Sequence, residues 1–288
     1  MRQKSGKLYG QMKQEKDRIT ELFNLEGKVV IISGGAGFLA KTYAQVLSDA
    51  GANVVLADIR TRDAKKVAEE LSSVGRTVEG FEVDVTNKSS VENLIEQVLL
   101  KYGQIDVLIN NAAINPKVEK AGLSNNPPFE DFPVEIWQKD LNVDLTGMFL
   151  TSQAAARQMI KQKNGVIINI SSIYGLVSPN QDLYKPEDGS QTQFKPASYA
   201  TTKAAVINFT RYLATYLAKY GIRVNCLAPG GIFQDQPEEF LKKYARFVPM
   251  GRMGEVGELA GPILFLATDA SSYMTGATLV IDGGWTAW

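Results

Sequence analysis

Histidine is absent from the 288-residue chain. Without it, neither Ser-His-Asp nor Cys-His machinery can be assembled, and no imidazole can act as a general base. Cysteine occurs once, at Cys226. A lone thiol forms no internal disulfide and, with no imidazole beside it, makes no zinc site, so no metal is expected. One cysteine also fits a reducing, cytoplasmic compartment. An excess of either charge is missing too: 31 basic side chains face 31 acidic ones. That balance argues against an extended nucleic-acid surface, which needs surplus Lys and Arg. Long apolar runs are lacking. The longest uncharged stretch, Asn164–Gln181, is dotted with Asn and Ser and does not read as a membrane span. Residues Met1–Asp17 are polar and show no signal-peptide pattern. What is present is 44% hydrophobic residues, enough to bury a sizeable core.

From Lys28 onward, short β-branched runs alternate with amphipathic segments of helical length. Lys28–Ser33 is nearly continuous in apolar residues, as expected of a strand covered on both faces. Further strands are expected at Asn53–Ala57, Val78–Val83, Ile105–Ile109, Gly165–Ile170, Arg223–Leu227 and Thr278–Ile281. Helices are expected near Leu39–Ala50, Asp63–Val74, Ser89–Tyr102, Pro133–Lys161, Ser198–Tyr220 and Glu255–Thr268. This rhythm predicts an α/β fold, a doubly wound parallel seven-stranded sheet in a single domain over residues 25–288. Residues 1–24 form an extension, in which Ile19, Leu22 and Phe23 have the spacing of a short helix packing on the body. Leu176–Ala197 has no apolar period and reads as a long loop.

The turn after the first strand is Ser33-Gly34-Gly35-Ala36-Gly37-Phe38-Leu39-Ala40. Glycines between a strand and a helix let the backbone approach a pyrophosphate, and the helix aims its N–H groups at the charge. Asp58 ends the second strand, 24 positions past Gly34. A carboxylate there can accept bonds from a ribose and repels a 2′-phosphate, which favours NAD over NADP. Arg60 and Arg62 lie close enough to weaken that preference.

The sequence resembles the short-chain dehydrogenase/reductase family from Gly27 to the C-terminus. Its strongest element is Tyr199-Ala-Thr-Thr-Lys203, matching the family's Tyr-x-x-x-Lys, 27 residues after Ser172 in Ile170-Ser-Ser-Ile-Tyr-Gly175. Asp84-Val85, Asn110-Asn-Ala-Ala113, Arg223–Gly230, Thr275-Gly-Ala-Thr and Asp282-Gly-Gly also match, in the family's order. The resemblance implies an NAD-dependent oxidoreductase with Ser172, Tyr199 and Lys203 catalytic. It implies cofactor contacts at Gly34, Ala36, Gly37, Phe38, Leu39, Asp58, Ile59, Asp84, Val85, Asn111, Ala112, Ala113, Tyr199, Lys203, Pro229, Gly230 and Ile232. Tyr199 and Lys203 share a helix face, and an ammonium beside a phenol favours the phenolate. The phenol can then exchange a proton with a substrate hydroxyl or carbonyl, while Ser172 fixes that oxygen.

The departures are specific. Phe38 and Ala40 stand where glycines are common, Ala113 replaces a glycine, and Gln234 occupies a customary threonine position. The family's fourth catalytic member, an asparagine, aligns with Asp144. An aspartate there keeps the backbone carbonyl that holds a water in the relay, and adds a charge. The Ser-to-Tyr interval is roughly double the family's usual one, so an insertion at about 178–196 is expected over the substrate pocket, offering Tyr184, Lys185, Gln191 and Gln193. Residues 233–248 would form a substrate lid. These features suggest a secondary alcohol and ketone interconverted on a polar, sugar-, polyol- or sugar-acid-like small molecule. A dehydratase- or epimerase-like enzyme of surface-sugar precursors, and a catalytically weak NAD-binding regulator, are the alternatives. The apolar helices bearing Phe149, Ala154, Ala155, Val206, Phe209 and Leu213, with Trp285 and Trp288, suggest a homotetramer.

Overall fold

Parallel strands that are covered on both faces become largely apolar runs, and in the computed structural model the five inner strands follow that logic while the two edge strands are only partly buried. The structure describes residues 18–118, 126–186 and 188–288. In chain order the elements are β1 (Val29–Ser33), α1 (Phe38–Asp49), β2 (Asn53–Asp58), α2 (Thr61–Ser72), β3 (Val78–Glu82), α3 (Lys88–Tyr102) and β4 (Val107–Asn110). They continue with α4 (Val134–Leu141), α5 (Met148–Gln162), β5 (Gly165–Ile170), α6 (Ala197–Leu217), β6 (Ile222–Pro229), α7 (Glu238–Ala245), α8 (Ala260–Ala267) and β7 (Thr278–Ile281). The seven strands form one sheet in the order β3-β2-β1-β4-β5-β6-β7, and every pair is parallel.

Alternate residues of each strand feed opposite layers. Val30 and Ile32 pack with Tyr43 and Leu47 of α1, Leu71 of α2 and Ile263 of α8. Val29 and Ile31 pack on the other face with Leu94 of α3, Met159 of α5 and Leu217 of α6. Strand order reverses between β1 and β4, which opens a crevice at the carboxyl ends of these strands. Every loop discussed below starts from that edge.

Two expectations change. The helix expected over Pro133–Lys161 is α4 and α5 joined by a π-turn, Asn142–Gly147, which carries Asp144. A one-residue excess in the ladder is a frequent device at functional sites. At the N-terminus residues 18–22 are helical, but of the three residues expected to pack, Ile19 and Leu22 are exposed and only Phe23 is half-buried. The rest of the expected extension, residues 1–17, lies outside the described residues.

Candidate active site

The glycine turn is fixed by close approach rather than by side chains. Gly34 has φ +66°, and a Cβ there would stand 2.8 Å from the Ala112 Cα. Asn111 at the end of β4 pins the turn from the other side, its Nδ2 donating to the Ser33 and Gly34 carbonyls at 3.2 and 3.1 Å. Helix α1 then begins with no side-chain cap and no acidic residue in its first turn. Its first N–H groups and dipole therefore face the crevice without a built-in acceptor, which suits an anion. A cavity of about 600 Å³ opens there, lined by Ala36, Gly37, Phe38 and Leu39 at one end. The same cavity is lined by Ser172, Tyr199 and Lys203, and by Asn111, Ala113, Pro229, Gly230 and Ile232 from the expected set. The volume and the uncapped turn fit a dinucleotide.

Gly34, Asp58, Ile59, Asp84, Val85 and Ala112 lie outside that lining. Asp58 is buried, and its carboxylate accepts the Ala36 and Arg60 N–H groups at 3.0 and 2.8 Å, bracing the turn. Arg60, by contrast, lines the cavity, with its Nε 3.7 Å from Asp58 and its Nη2 donating to the Ala36 carbonyl at 3.2 Å. Ile59 is exposed. Asp84 accepts the Thr86 N–H and hydroxyl, closing the turn after β3.

Strand β5 delivers Ser172 and helix α6 delivers Tyr199 and Lys203 to one wall. The Ser172 hydroxyl accepts the Tyr174 N–H at 3.2 Å and is hydrogen-bonded to the Tyr199 phenol. Lys203 donates to the Ile170 carbonyl at 3.0 Å, with its Nζ 5.7 Å from the Tyr199 ring centre. Burial pushes the phenol above its ordinary value, and the Ser172 bond opposes that while Asp144 adds to it. In the protein alone desolvation dominates, because it disfavours the phenolate, and the lowering expected from Lys203 does not show. Burial also lowers Lys203, and the Asp144 charge pulls it back up.

Asp144 is buried outside the cavity. Its Oδ1 accepts the Ile114 N–H at 2.8 Å and its Oδ2 accepts the Thr202 hydroxyl at 3.1 Å. Burial raises its carboxyl, against Lys203, Ile114 and Thr202, which lower it. It ties the π-turn to α6 and acts on the reacting wall as a charge. Cys226 is fully buried, its thiol pushed up to about 11 by burial.

The insertion is a folded loop. Gln181 and Lys195 exchange side-chain-to-backbone bonds, with Gln181 Nε2 donating to the Lys195 carbonyl and the Lys195 N–H to Gln181 Oε1, each at 2.9 Å. Gln191 donates to the Gln181 carbonyl, and Gln193 accepts the Asn126 N–H, so these two amides hold the loop rather than face the cavity. Tyr184 does line the cavity. Its hydroxyl meets that of Tyr174 at 3.0 Å, and its ring lies 5.7 Å from Phe240 of α7. Lys195 lines it as well, its Nζ 4.2 Å from the Tyr199 ring centre. Sequence reasoning missed it, because it lies in the loop before α6, outside the helix that carries Tyr199. Gln234 and Gln236 of the lid complete the polar wall.

A glycine turn opening onto a Ser-Tyr-Lys wall across the crevice of a parallel sheet defines an oxidoreductase that works with a nicotinamide cofactor. The chain belongs to the short-chain dehydrogenase/reductase family. A family model described as enoyl-(acyl carrier protein) reductase matches residues 35–286. Over 90% of its length and 98% of the relative, the chain is 35% identical to the 3-oxoacyl-acyl-carrier-protein reductase FabG of Thermotoga maritima. It is 34% identical to the NAD-dependent glycerol dehydrogenase of Listeria innocua, covering 92% of this chain and 96% of that protein. Among solved structures, gluconate 5-dehydrogenase from Burkholderia cenocepacia in complex with NADP and tartrate superposes with a TM-score of 0.81. That match has 31% identity and covers 94% of this chain and 99% of the other.

Proposed function

We propose that the protein interconverts a secondary alcohol and a ketone on a polar, sugar-, polyol- or sugar-acid-like small molecule. The observation that carries this is the convergence of Ser172, Tyr199 and Lys203 on the wall that faces the uncapped turn of α1. A bound nicotinamide dinucleotide supplies the hydride acceptor or donor. Tyr199 moves the proton at its phenol oxygen, Ser172 orients the reacting oxygen, and Lys203 holds positive charge beside the phenol. The polar side chains Asn115, Tyr184, Gln234 and Gln236 in the same cavity support a hydroxyl-rich substrate. Cofactor reduction over a panel of polyols and sugar acids tests the reading. No turnover with any member, by a preparation that binds cofactor, would count against it.

Asp58 supports NAD, since a carboxylate there repels a 2′-phosphate. Arg60 favours a second reading, NADP, because its guanidinium lines the cavity beside the same strand end and can pair with a phosphate. Calorimetry with both cofactors decides between them. We also propose a homo-oligomer, supported by a strip of rings along α5 and α6, where exposed Phe149 lies 6.5 Å from half-buried Phe209 and exposed Tyr212 stacks on exposed Tyr216 at 6.2 Å. Ala154, Ala155 and Val206 are buried in the subunit's own core, and Trp285 packs on its own Tyr244, so they do not supply that face. Light scattering giving the mass of one chain, 31.5 kDa, would refute the oligomer. Among the described residues no helix is long and apolar enough to cross a membrane, and no cluster of side chains could hold a metal.

A further inference from the structure

Beside Tyr199 the cavity wall is built from rings. Tyr174 stands edge-on to Tyr199, with ring centres 6.5 Å apart and planes at 86°. Tyr184 of the insertion lies 5.7 Å from Phe240 of α7, and Phe240 lies 6.0 Å from Tyr244 one helical turn on, with planes tilted by only 35° and 32°. Tyr174, Tyr184, Phe240 and Tyr244 all line the cavity, and Ile173 and Met253 line it with them. The rings come from separate stretches of chain: the turn after β5, the insertion and the lid.

The phenol oxygens of this group are engaged with the protein. The Tyr174 and Tyr184 hydroxyls bond each other at 3.0 Å, and Tyr244 accepts the Gly231 N–H at 2.6 Å. Phe240 carries no polar atom at all. The surface turned to a ligand is therefore mostly ring carbon, with the Ile173 and Met253 side chains beside it. Trp285 packs behind Tyr244 at 4.7 Å, which keeps that ring from retreating. Tyr174 and Tyr244 are buried, whereas Tyr184 and Phe240 are only half-buried, so apolar area at this end still meets water. A ligand with an apolar face would cover that area, and the release of water favours its binding.

An open-chain polyol has a hydroxyl on nearly every carbon and turns no continuous apolar surface to a wall. It also loses rotation about each of its bonds when it is held. A six-membered ring is already rigid, and its two faces carry C–H bonds while its rim carries the hydroxyls. From this geometry we infer that Tyr174, Tyr184, Phe240 and Tyr244 form a platform for a closed ring, and that the substrate is a cyclic secondary alcohol or ketone rather than an open-chain one. The inference rests on the oxidoreductase reading for the place of the reacting carbinol at Tyr199, and it adds the substrate's shape. The insertion supplies Tyr184, one edge of the platform, which gives the added chain length a chemical purpose. A carbocycle and a pyranose offer the same kind of face, and the experiment separates them.

The test is calorimetric binding to the full-length protein in the presence of NADH, with two matched pairs of ligands. Cyclohexane-1,4-diol is compared with hexane-2,5-diol, and methyl glucopyranoside with glucitol. We expect the ring to bind tenfold or more tightly than its open-chain partner in at least one pair, and that pair identifies the kind of ring. Phe240→Leu keeps an apolar side chain but removes the ring, and should bring the preference within about threefold while NADH affinity stays unchanged. Phe240→Tyr should keep the preference. Tyr184→Leu serves in place of Phe240→Leu if the latter binds no NADH. Failure of both rings to bind overturns the inference, as do equal affinities within both pairs or a Leu variant that retains the full preference. Equal binding within both pairs, with turnover of their members, would leave the oxidoreductase reading intact. A ring preference without hydride transfer from either ring to NAD or NADP would defeat that reading and leave the platform standing.

Discussion

The two ends of the cavity are built by different means. At the glycine turn, strands β1, β2 and β4 bring backbone to backbone, and the functional groups are N–H donors that any residue carries. At the insertion, the groups are side chains drawn from separate parts of the chain: Asn115 after β4, Tyr184 and Lys195 in the loop, and Gln234 and Gln236 before α7. The first end is specified by the absence of side chains, the second by their identity. The difference teaches that a binding end common to many relatives needs only small residues at a strand edge, whereas selectivity requires distant segments to be brought to one wall.

Tyr199→Phe gives the largest expected effect, because it strikes the wall that both ends share. Turnover should fall by roughly 10²–10⁴-fold, the usual contribution of a positioned proton-transfer group, while cofactor affinity measured by fluorescence stays within a few-fold. Equal loss of both would blur the distinction between the ends.

Next in size is Trp285→Ala. Trp285 packs at 4.7 Å on Tyr244 and 5.5 Å on Phe247, behind the lid. Truncating a buried tryptophan costs about 3–5 kcal/mol in a core. Here the loss should weaken the insertion end, raising the KM for substrate more than that for cofactor, with a lowered melting temperature.

Asp144→Asn probes the charge behind the wall. The phenol must lose its proton to accept one from an alcohol, and Asp144 holds it up. Removing that negative charge should move the alkaline rise of the oxidation rate to lower pH. Ser172→Ala removes a contact that lowers the phenol and should move the rise the other way, alongside its loss of rate. The same variant affects stability with a definite sign. Burial raises the Asp144 carboxyl above its unfolded value, so the folded state loses stability as pH climbs from the unfolded toward the folded value. Asp144→Asn should therefore be at least as stable as the parent at neutral pH and no better in acid, as judged by denaturant midpoints at the two pH values.

The smallest effect belongs to Tyr184→Phe. Losing one neutral hydroxyl bond to Tyr174 is worth about 0.5–1.5 kcal/mol, so the substrate KM should rise by a factor of a few with cofactor KM unchanged.

Legibility follows the same division. Strands β5 and β7 fall on the expected residues because a run such as Gly165–Ile170 is apolar on both faces and has one way to be buried. Ser172, Tyr199 and Lys203 were legible through the resemblance of their motifs to the family's, and they do meet at one wall. The π-turn was not, since residues 142–147 contain no proline and keep a helical period; only the packing of Asp144 on Ile114 and Thr202 marks it. Lys195 was hidden for a related reason. Its partners Asn115 and Pro116 are about eighty residues away in the chain, and no local pattern announces a contact at that range. Asp58 was legible as a residue of the cofactor end, but its bracing of Ala36 was not, because that bond depends on how the turn folds back.

The uncapped start of α1 has a consequence for how long the protein lasts. A helix that begins without a side-chain acceptor is an incompletely paired element, and an anion lodged there completes it. A ligand that binds only the folded chain stabilises it by mass action, by about 2.7 kcal/mol at a hundred times its dissociation constant. The thermal endurance of this enzyme is then partly a property of its surroundings, rising and falling with the free dinucleotide pool, so that cells depleted of cofactor would lose the protein as well as its activity.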